Sequence, residues 1–229
     1  MYNKGHIHFI GIGGIGMSGI AKILKNEGYT ISGCDKALEQ KNIKELIEFG
    51  CAIYEGNNTH ECHDASIQTL VYSSAIDDDN EEIKGFQARG VPTIPRALML
   101  AEIMRTKYSI AISGAHGKTT TTSLLSHILI DALFDPTVII GGHLKNIGSN
   151  ARRGAGKFLV AEADESDRSF LKLNPTLAVV TNIDLEHLET YRDIDDIKAA
   201  FTQFLSNVPF YGKAIVCLED PHIRSLMPA

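Results

Sequence analysis

The stretch GAHGKTTTT, Gly114 to Thr122, follows an apolar run and opens a helical pattern. A glycine-rich loop in that setting presents backbone amides to phosphate, with a lysine and a hydroxyl at the helix start. Gly114, Ala115, His116, Gly117, Lys118, Thr119 and Thr120 are therefore candidate ATP-binding residues. Lys118 would offset charge on the β- and γ-phosphates, and the Thr119 hydroxyl would reach Mg²⁺. The loop is shorter than the standard pattern, whose first glycine would fall at Ile112.

Two acidic segments follow. KFLVAEADESD reads as a strand ending in Glu162, with Asp164, Glu165 and Asp167 beyond it. Alternation along a strand would put Glu162 and Asp164 on one face, and mutually repelling carboxylates held together suit a divalent cation. In TNIDLEHLE a strand ends at Asn182, and Asp184, Glu186 and His187 follow at once. The C-terminal edge of a parallel sheet is where such folds bind ligands.

Near the N-terminus, IHFIGIGGIGMSGIA places Gly11, Gly13 and Gly16 in the spacing of a dinucleotide-binding turn. Such a turn brings backbone amides against a diphosphate at a helix N-terminus. Asp35, 24 residues after Gly11, stands where a dinucleotide enzyme keeps its ribose-binding acid. The turn points to a nucleotide diphosphate more firmly than to nicotinamide, and an NAD-dependent oxidoreductase stays open as the alternative. NNTHECHD offers His60, Cys62 and His63, but no second ligand pair sits at finger spacing, so no zinc site is expected there.

The elements that must position these residues alternate between short apolar strands and amphipathic helices, which predicts an α/β fold with mainly parallel sheets. Strands are expected at HIHFIGI, YTISGCD and TLVYSSAI, and the acidic run DDDNEE reads as a solvated face or helix start without a site. A helix over PRALMLAEIMRTK ends the first domain, giving residues 1–107 as a Rossmann-like domain and 108–229 as a phosphate-loop ATPase domain. In the second, strands are expected at TVII, KFLVAEA, TLAVVTNI and KAIVCLE. A helix carries Ile194, Ile197, Phe201, Phe204 and Leu205 on one face.

The bulk composition narrows the partners. Of 229 residues, 44% are apolar and 22% charged, an ordinary globular balance, and the net charge of -6 argues against nucleic acid or an anionic membrane surface. Four scattered cysteines without a C-x-x-C pair, no leader and no long apolar run predict a soluble cytoplasmic protein.

In order and spacing, HFIGIGGIGMSGIA, SGAHGKTTTT, EADESD and TNIDLEH together resemble the Mur ligase family. The resemblance runs along the whole chain and matches about the first half of such an enzyme. It implies a UDP-sugar domain, a central ATPase domain and a closing C-terminal domain, the last absent here. Within the family it is similar to the member that joins L-alanine to UDP-N-acetylmuramate through an acyl phosphate. On that resemblance Gly11, Gly13, Gly14, Ile15, Gly16, Met17 and Ser18 would hold the UDP diphosphate, with Asp35, Ser73 and Ser74 candidates for the uridine pocket. Lys118, Glu162 and His187 would be catalytic, Thr119 and Glu162 would hold a first Mg²⁺, and His187 a second. Ala115 stands where the family commonly has threonine, which leaves the amide cradle intact. The chain ends soon after a fresh strand, so a truncated fragment that binds the UDP-sugar and turns over poorly is the expectation for it alone.

Overall fold

Short apolar runs rich in Ile and Val become strands, because a strand covered on both faces needs β-branched and aliphatic residues without strict alternation. The computed structural model describes residues 4–56, 60–77, 79–144 and 149–227. Its contacts divide the chain into two compact units, Met1–Met99 with Ile147–Ala151 and Leu100–Asn146 with Arg152–Ala229. Most of the strand Ser149–Arg152 therefore groups with the first, although it pairs in the second sheet.

The first unit runs β1 (His6–Ile10), α1 (Ile15–Asn26), β2 (Thr30–Asp35), α2 (Lys41–Glu48), β3 (Ala52–Glu55), a 3₁₀ turn (His60–His63), β4 (Ile67–Tyr72), α3 (Glu81–Ala88) and β5 (Thr93–Pro95), then enters α4 (Arg96–Arg105). Its sheet has the order β3-β2-β1-β4-β5, all pairs parallel. Consecutive strands step outward from β1 on one side and resume at β4 on the other, so the topological switch lies between β1 and β4. Gly33 in β2 makes room for β1 and the turn after it: a Cβ there would lie 2.7 Å from the Phe9 carbonyl oxygen and from Ile12.

The second unit contains β6 (Tyr108–Ser113), α5 (Lys118–Asp131), β7 (Thr137–Leu144), β8 (Ser149–Arg152), β9 (Phe158–Glu162), a 3₁₀ turn (Ser169–Lys172), β10 (Leu177–Val180), α6 (Ile194–Ser206), β11 (Lys213–Val216) and α7 (Pro221–Arg224). The strand order is β11-β10-β6-β9-β7-β8, and the β11–β10, β10–β6, β6–β9 and β9–β7 pairs are parallel. The strand before GAHGKTTTT is thus central. Phe170, Phe201 and Phe204 pack ring against ring, which seats α6 on the 3₁₀ turn.

The α/β class and the strands expected from sequence are present, with β3, β5 and β8 additional because they are short and lack a clear period. The acidic run is a helix start, the second of its two expected readings, and is not solvated throughout. Asn80 caps α3 through its side chain, accepting from Glu82 N and Ile83 N. Helical geometry then turns Glu82 inward with Ile83 and Phe86, and Glu82 is fully buried. Among the described residues no helix is long and apolar enough to cross a membrane.

Gly33→Ala forces a backbone clash in a packed layer. It should cost the first unit about 1–3 kcal/mol by overpacking, seen as a lower denaturation midpoint.

Candidate functional site

In the second unit, β6 ends at Ser113 and the chain turns through Gly114 (φ +132°) and Gly117 (φ +83°) into α5. Gly114 has no alternative: a Cβ would lie 2.1 Å from Thr181 Oγ1 and 2.9 Å from the Asn182 carbonyl oxygen. The loop is sewn to the end of β10. His116 N donates to Asn182 Oδ1 (2.8 Å), Asn182 Nδ2 and Thr181 Oγ1 donate to His116 O (2.9 and 2.7 Å), and Ala115 N donates to Asn182 O (3.2 Å). These contacts use Thr181 and Asn182, residues to which the sequence pattern assigned no role.

α5 begins with no side-chain cap and no acidic residue in its first turn, unlike α3, α6 and α7, each capped by Asn or Asp. Its first amides and dipole are left for an anion. Lys118 curls back over the loop, donating to Gly114 O (2.7 Å), Ala115 O (3.3 Å) and Glu165 Oε1 (2.7 Å). Thr119 and Thr120 are exposed on the same turn.

The carboxylates divide differently from the expectation. β9 ends at Glu162, so strand alternation does not extend to Asp164, whose Oδ1 instead accepts from Ser166 N in a local turn. Glu165 is the acid that reaches Lys118, and burial pushes its carboxyl above the usual range against the pull of that lysine. Nothing in the spacing marks Glu165 over its acidic neighbours; the turn after β9 selects it. Glu162 Oε2 accepts from Gly141 N (2.7 Å), while Glu162 Oε1 and Glu165 Oε2 are buried without a hydrogen-bond partner. A buried carboxylate oxygen without a donor is costly unless a cation or donor completes it. The donor set at Glu162 therefore fits a hard divalent cation.

His187 sits in left-handed backbone (φ +56°), its carbonyl taking Thr190 N and Tyr191 N. Its ring meets Glu165 Oε1 (3.6 Å) and Glu189 Oε1 (3.5 Å). Tyr191, its hydroxyl pushed up to about 12 by burial, donates to Glu165 O (2.6 Å) and so ties the His187 turn to the acidic segment. Lys118, Glu165 and His187 are thus neighbours, with Glu162 at the end of the adjacent strand.

In the first unit, Gly11 (φ +75°) lies beside Ser73 at the switch between β1 and β4. Gly14 and Ile15 are exposed, Gly16 is half-buried, and α1 starts with neither a side-chain cap nor an acidic residue. The Ile15, Gly16 and Met17 amides therefore form an anion-type helix start. Met17 and Ser18 point their side chains inward, and Ser18 Oγ donates to Ile15 O (3.0 Å). They can offer a ligand at most backbone. Asp35 is also turned to structural use. Its Oδ2 accepts from Gly13 N (2.8 Å) and its Oδ1 from Ala37 N (3.0 Å), which clamps the turn. Ser74 is exposed, and a cavity of about 340 Å³ nearby is lined by Lys36, Ile76, Asp77 and Asn80, without either serine.

Against known proteins, residues 6–108 match "Mur ligase family, catalytic domain" and residues 112–229 match "Mur ligase middle domain". The chain is 54% identical over 222 residues to the UDP-N-acetylmuramate–L-alanine ligase of Syntrophus aciditrophicus, covering 97% of this chain and 46% of that protein. It is 55% identical over 230 residues to the ligase of the same name from Geotalea uraniireducens, covering 49% of it. The chain thus spans about half the length of the curated relatives it matches. Among solved structures, the UDP-N-acetylmuramate-alanine ligase of Thermotoga maritima aligns with TM-score 0.85 at 29% identity, over 97% of this chain and 51% of that one. A UDP-N-acetylmuramate:L-alanyl-γ-D-glutamyl-meso-diaminopimelate ligase from Neisseria aligns with TM-score 0.89 at 28% identity, over 98% and 74%.

Asn182→Ala removes two of the bonds holding the loop, a loss of about 1–2 kcal/mol. Amide hydrogen exchange at Ala115 and His116 should quicken about tenfold, while the β10 core keeps its protection.

Proposed function

Because the chain belongs to the Mur ligase family, we propose that it serves the ATP-dependent joining of L-alanine to the carboxylate of UDP-N-acetylmuramate in peptidoglycan precursor synthesis. One observation carries the chemistry: Lys118 and two partnerless carboxylate oxygens stand at the ends of adjacent central strands. The identity above one half to ligases of that name supports the choice of amino acid.

A carboxylate is a poor electrophile because its leaving group would be oxide. Transfer of the γ-phosphoryl group of ATP to a carboxylate oxygen, with ADP departing, makes an acyl phosphate. The amine of alanine then attacks the carbonyl carbon, phosphate leaves, and the nitrogen loses a proton. Two anions must meet in the first step, so cationic and amide donors determine the barrier.

In this reading the loop Gly114 to Thr120 cradles the ATP phosphates through its amides from Gly117 onward, those of Ala115 and His116 being engaged by Asn182, and Lys118 exchanges Glu165 for the γ-phosphate. Thr119 and Glu162 would hold one Mg²⁺ and His187 would help hold a second. Bound there, Mg²⁺ supplies neutralisation of phosphate charge. Glu165 keeps Lys118 over the loop, and Tyr191 holds the Glu165 segment against the His187 turn. Gly11 to Ser18 would take the UDP diphosphate through the α1 amides, with residues 1–107 as the UDP-sugar domain and 108–229 as the ATP domain. The engagement of Asp35 with Gly13 and Ala37 disfavours a ribose-binding role, and with it the NAD alternative.

Calorimetric titration of this chain should show UDP-N-acetylmuramate and Mg²⁺–ATP binding. Lys118→Ala should weaken ATP about 10- to 100-fold, as expected for lost charge-assisted bonds. NADH binding without UDP-sugar binding would overturn the reading. In the full-length enzyme, phosphate release with UDP-N-acetylmuramate should rise on adding L-alanine; preference for D-glutamate or for the L-alanyl-γ-D-glutamyl-meso-diaminopimelate peptide would reject the amino-acid assignment.

A further inference from the structure

Beneath the glycine turn, four side chains that ligate metals meet in the core of the first unit. His8 comes from β1, Cys34 from β2, Cys62 from the 3₁₀ turn and Glu82 from α3, and each is fully buried. Their donor atoms all lie within 4.8 Å of one another, and among the described residues this is the one such grouping. We propose that these four residues form a closed, structural site for a zinc-class divalent cation.

The distances support a shared centre. Metal–sulfur bonds of about 2.3 Å and metal–nitrogen or metal–oxygen bonds of about 2.0–2.2 Å put neighbouring donors of a tetrahedron roughly 3.3–3.8 Å apart. Cys34 Sγ lies 3.8 and 3.6 Å from the two Glu82 oxygens, within that spacing, and His8 Nε2 lies 3.1 Å from Glu82 Oε1, so loading must part those two slightly. Without an ion, His8 Nε2 faces Glu82 and Cys62 as its neighbours in the cluster. The imidazole is oriented from behind: Ser32 Oγ lies 2.7 Å from its Nδ1, leaving Nε2 to face the cluster. The Tyr54 and Phe86 rings both lie near-parallel to the His8 ring.

The donor types favour zinc over magnesium or calcium, which prefer all-oxygen shells. Four protein ligands and no solvent exposure make a structural rather than a catalytic site. Loading is an exchange without redox: the ion takes up the two sulfurs, His8 nitrogen and a Glu82 oxygen, and the thiol protons leave to solvent. Glu82 then gains a cation as partner in the core. Cys34 also carries the turn, its carbonyl accepting Gly11 N (2.9 Å) and Ile12 N (3.2 Å), so the ion would brace the backbone that shapes the turn. His63 takes no part, its ring lying against Phe86, and the side chain of His60 falls outside the described residues.

The test uses the full 229-residue chain, reduced and freed of metal, titrated with Co²⁺ and separately with Zn²⁺. About one equivalent of Co²⁺ should bind, with thiolate-to-cobalt charge transfer and the intense visible bands of a tetrahedral ion, and Zn²⁺ should displace it. Cys34→Ser and Cys62→Ser should each weaken binding about tenfold or more and diminish the charge-transfer band, whereas His63→Ala should leave both unchanged. Zn²⁺ should raise the thermal midpoint of the native chain but not of the double serine variant, with circular dichroism reporting that the variant is folded. The proposal fails if no tetrahedral spectrum appears, if the spectrum survives in the folded double variant, or if the reduced protein instead reoxidises to a Cys34–Cys62 disulfide that binds no metal.

Discussion

A glycine loop between a central strand and an uncapped helix has no ladder of its own, so other groups must hold its shape. In the second unit that task falls to Asn182. Its side chain takes the His116 N–H and returns a bond to the His116 carbonyl, while its own carbonyl takes Ala115 N. The close approach requires glycine at 114, because any Cβ would occupy the space of Thr181. Remove that clamp and Lys118, the start of α5 and the acidic segment after β9 lose their common reference.

The first unit solves the same problem with a different side chain. Asp35, at the end of β2, accepts the Gly13 and Ala37 amides. In both units a residue at or just past the end of a neighbouring parallel strand holds a glycine loop, and in both the helix that follows begins without a side-chain cap. Parallel sheets make this natural, since every strand delivers its last residue to the same edge. The uncapped helix start is a sacrifice of local stability that suits anion binding, because a capping carboxylate would compete for the same amides.

Much of this was legible in the chain itself. The glycine turns, Lys118 and the strand ending in Glu162 were readable because phosphate loops impose short-range spacing and because apolar runs mark strands. Asp35 was readable as important but not for its reason: position near a strand end is visible, the direction of a carboxylate is not. The acidic run was readable as a helix start, but the burial of Glu82 was not, since neighbouring positions on one helical turn differ in exposure. Glu165 was indistinguishable from Asp164 and Asp167 until the turn after β9 selected which one meets the lysine. Cys62 was weighed with its neighbours His60 and His63, whereas its partners in space stand at positions 8, 34 and 82.

Local spacing, then, determined on its own the α/β class and the two glycine loops, each between a strand and a helix. These depend on backbone conformation and on residues within a few positions of one another, which sequence records directly. Only the tertiary structure decided which side chains converge from distant segments: Asn182 on the loop, Glu165 on Lys118, and His8, Cys34, Cys62 and Glu82 on a common point. Such meetings depend on strand order and on the rotation of each helix about its axis. Both are set by how the whole core packs, and no short stretch of the chain encodes them.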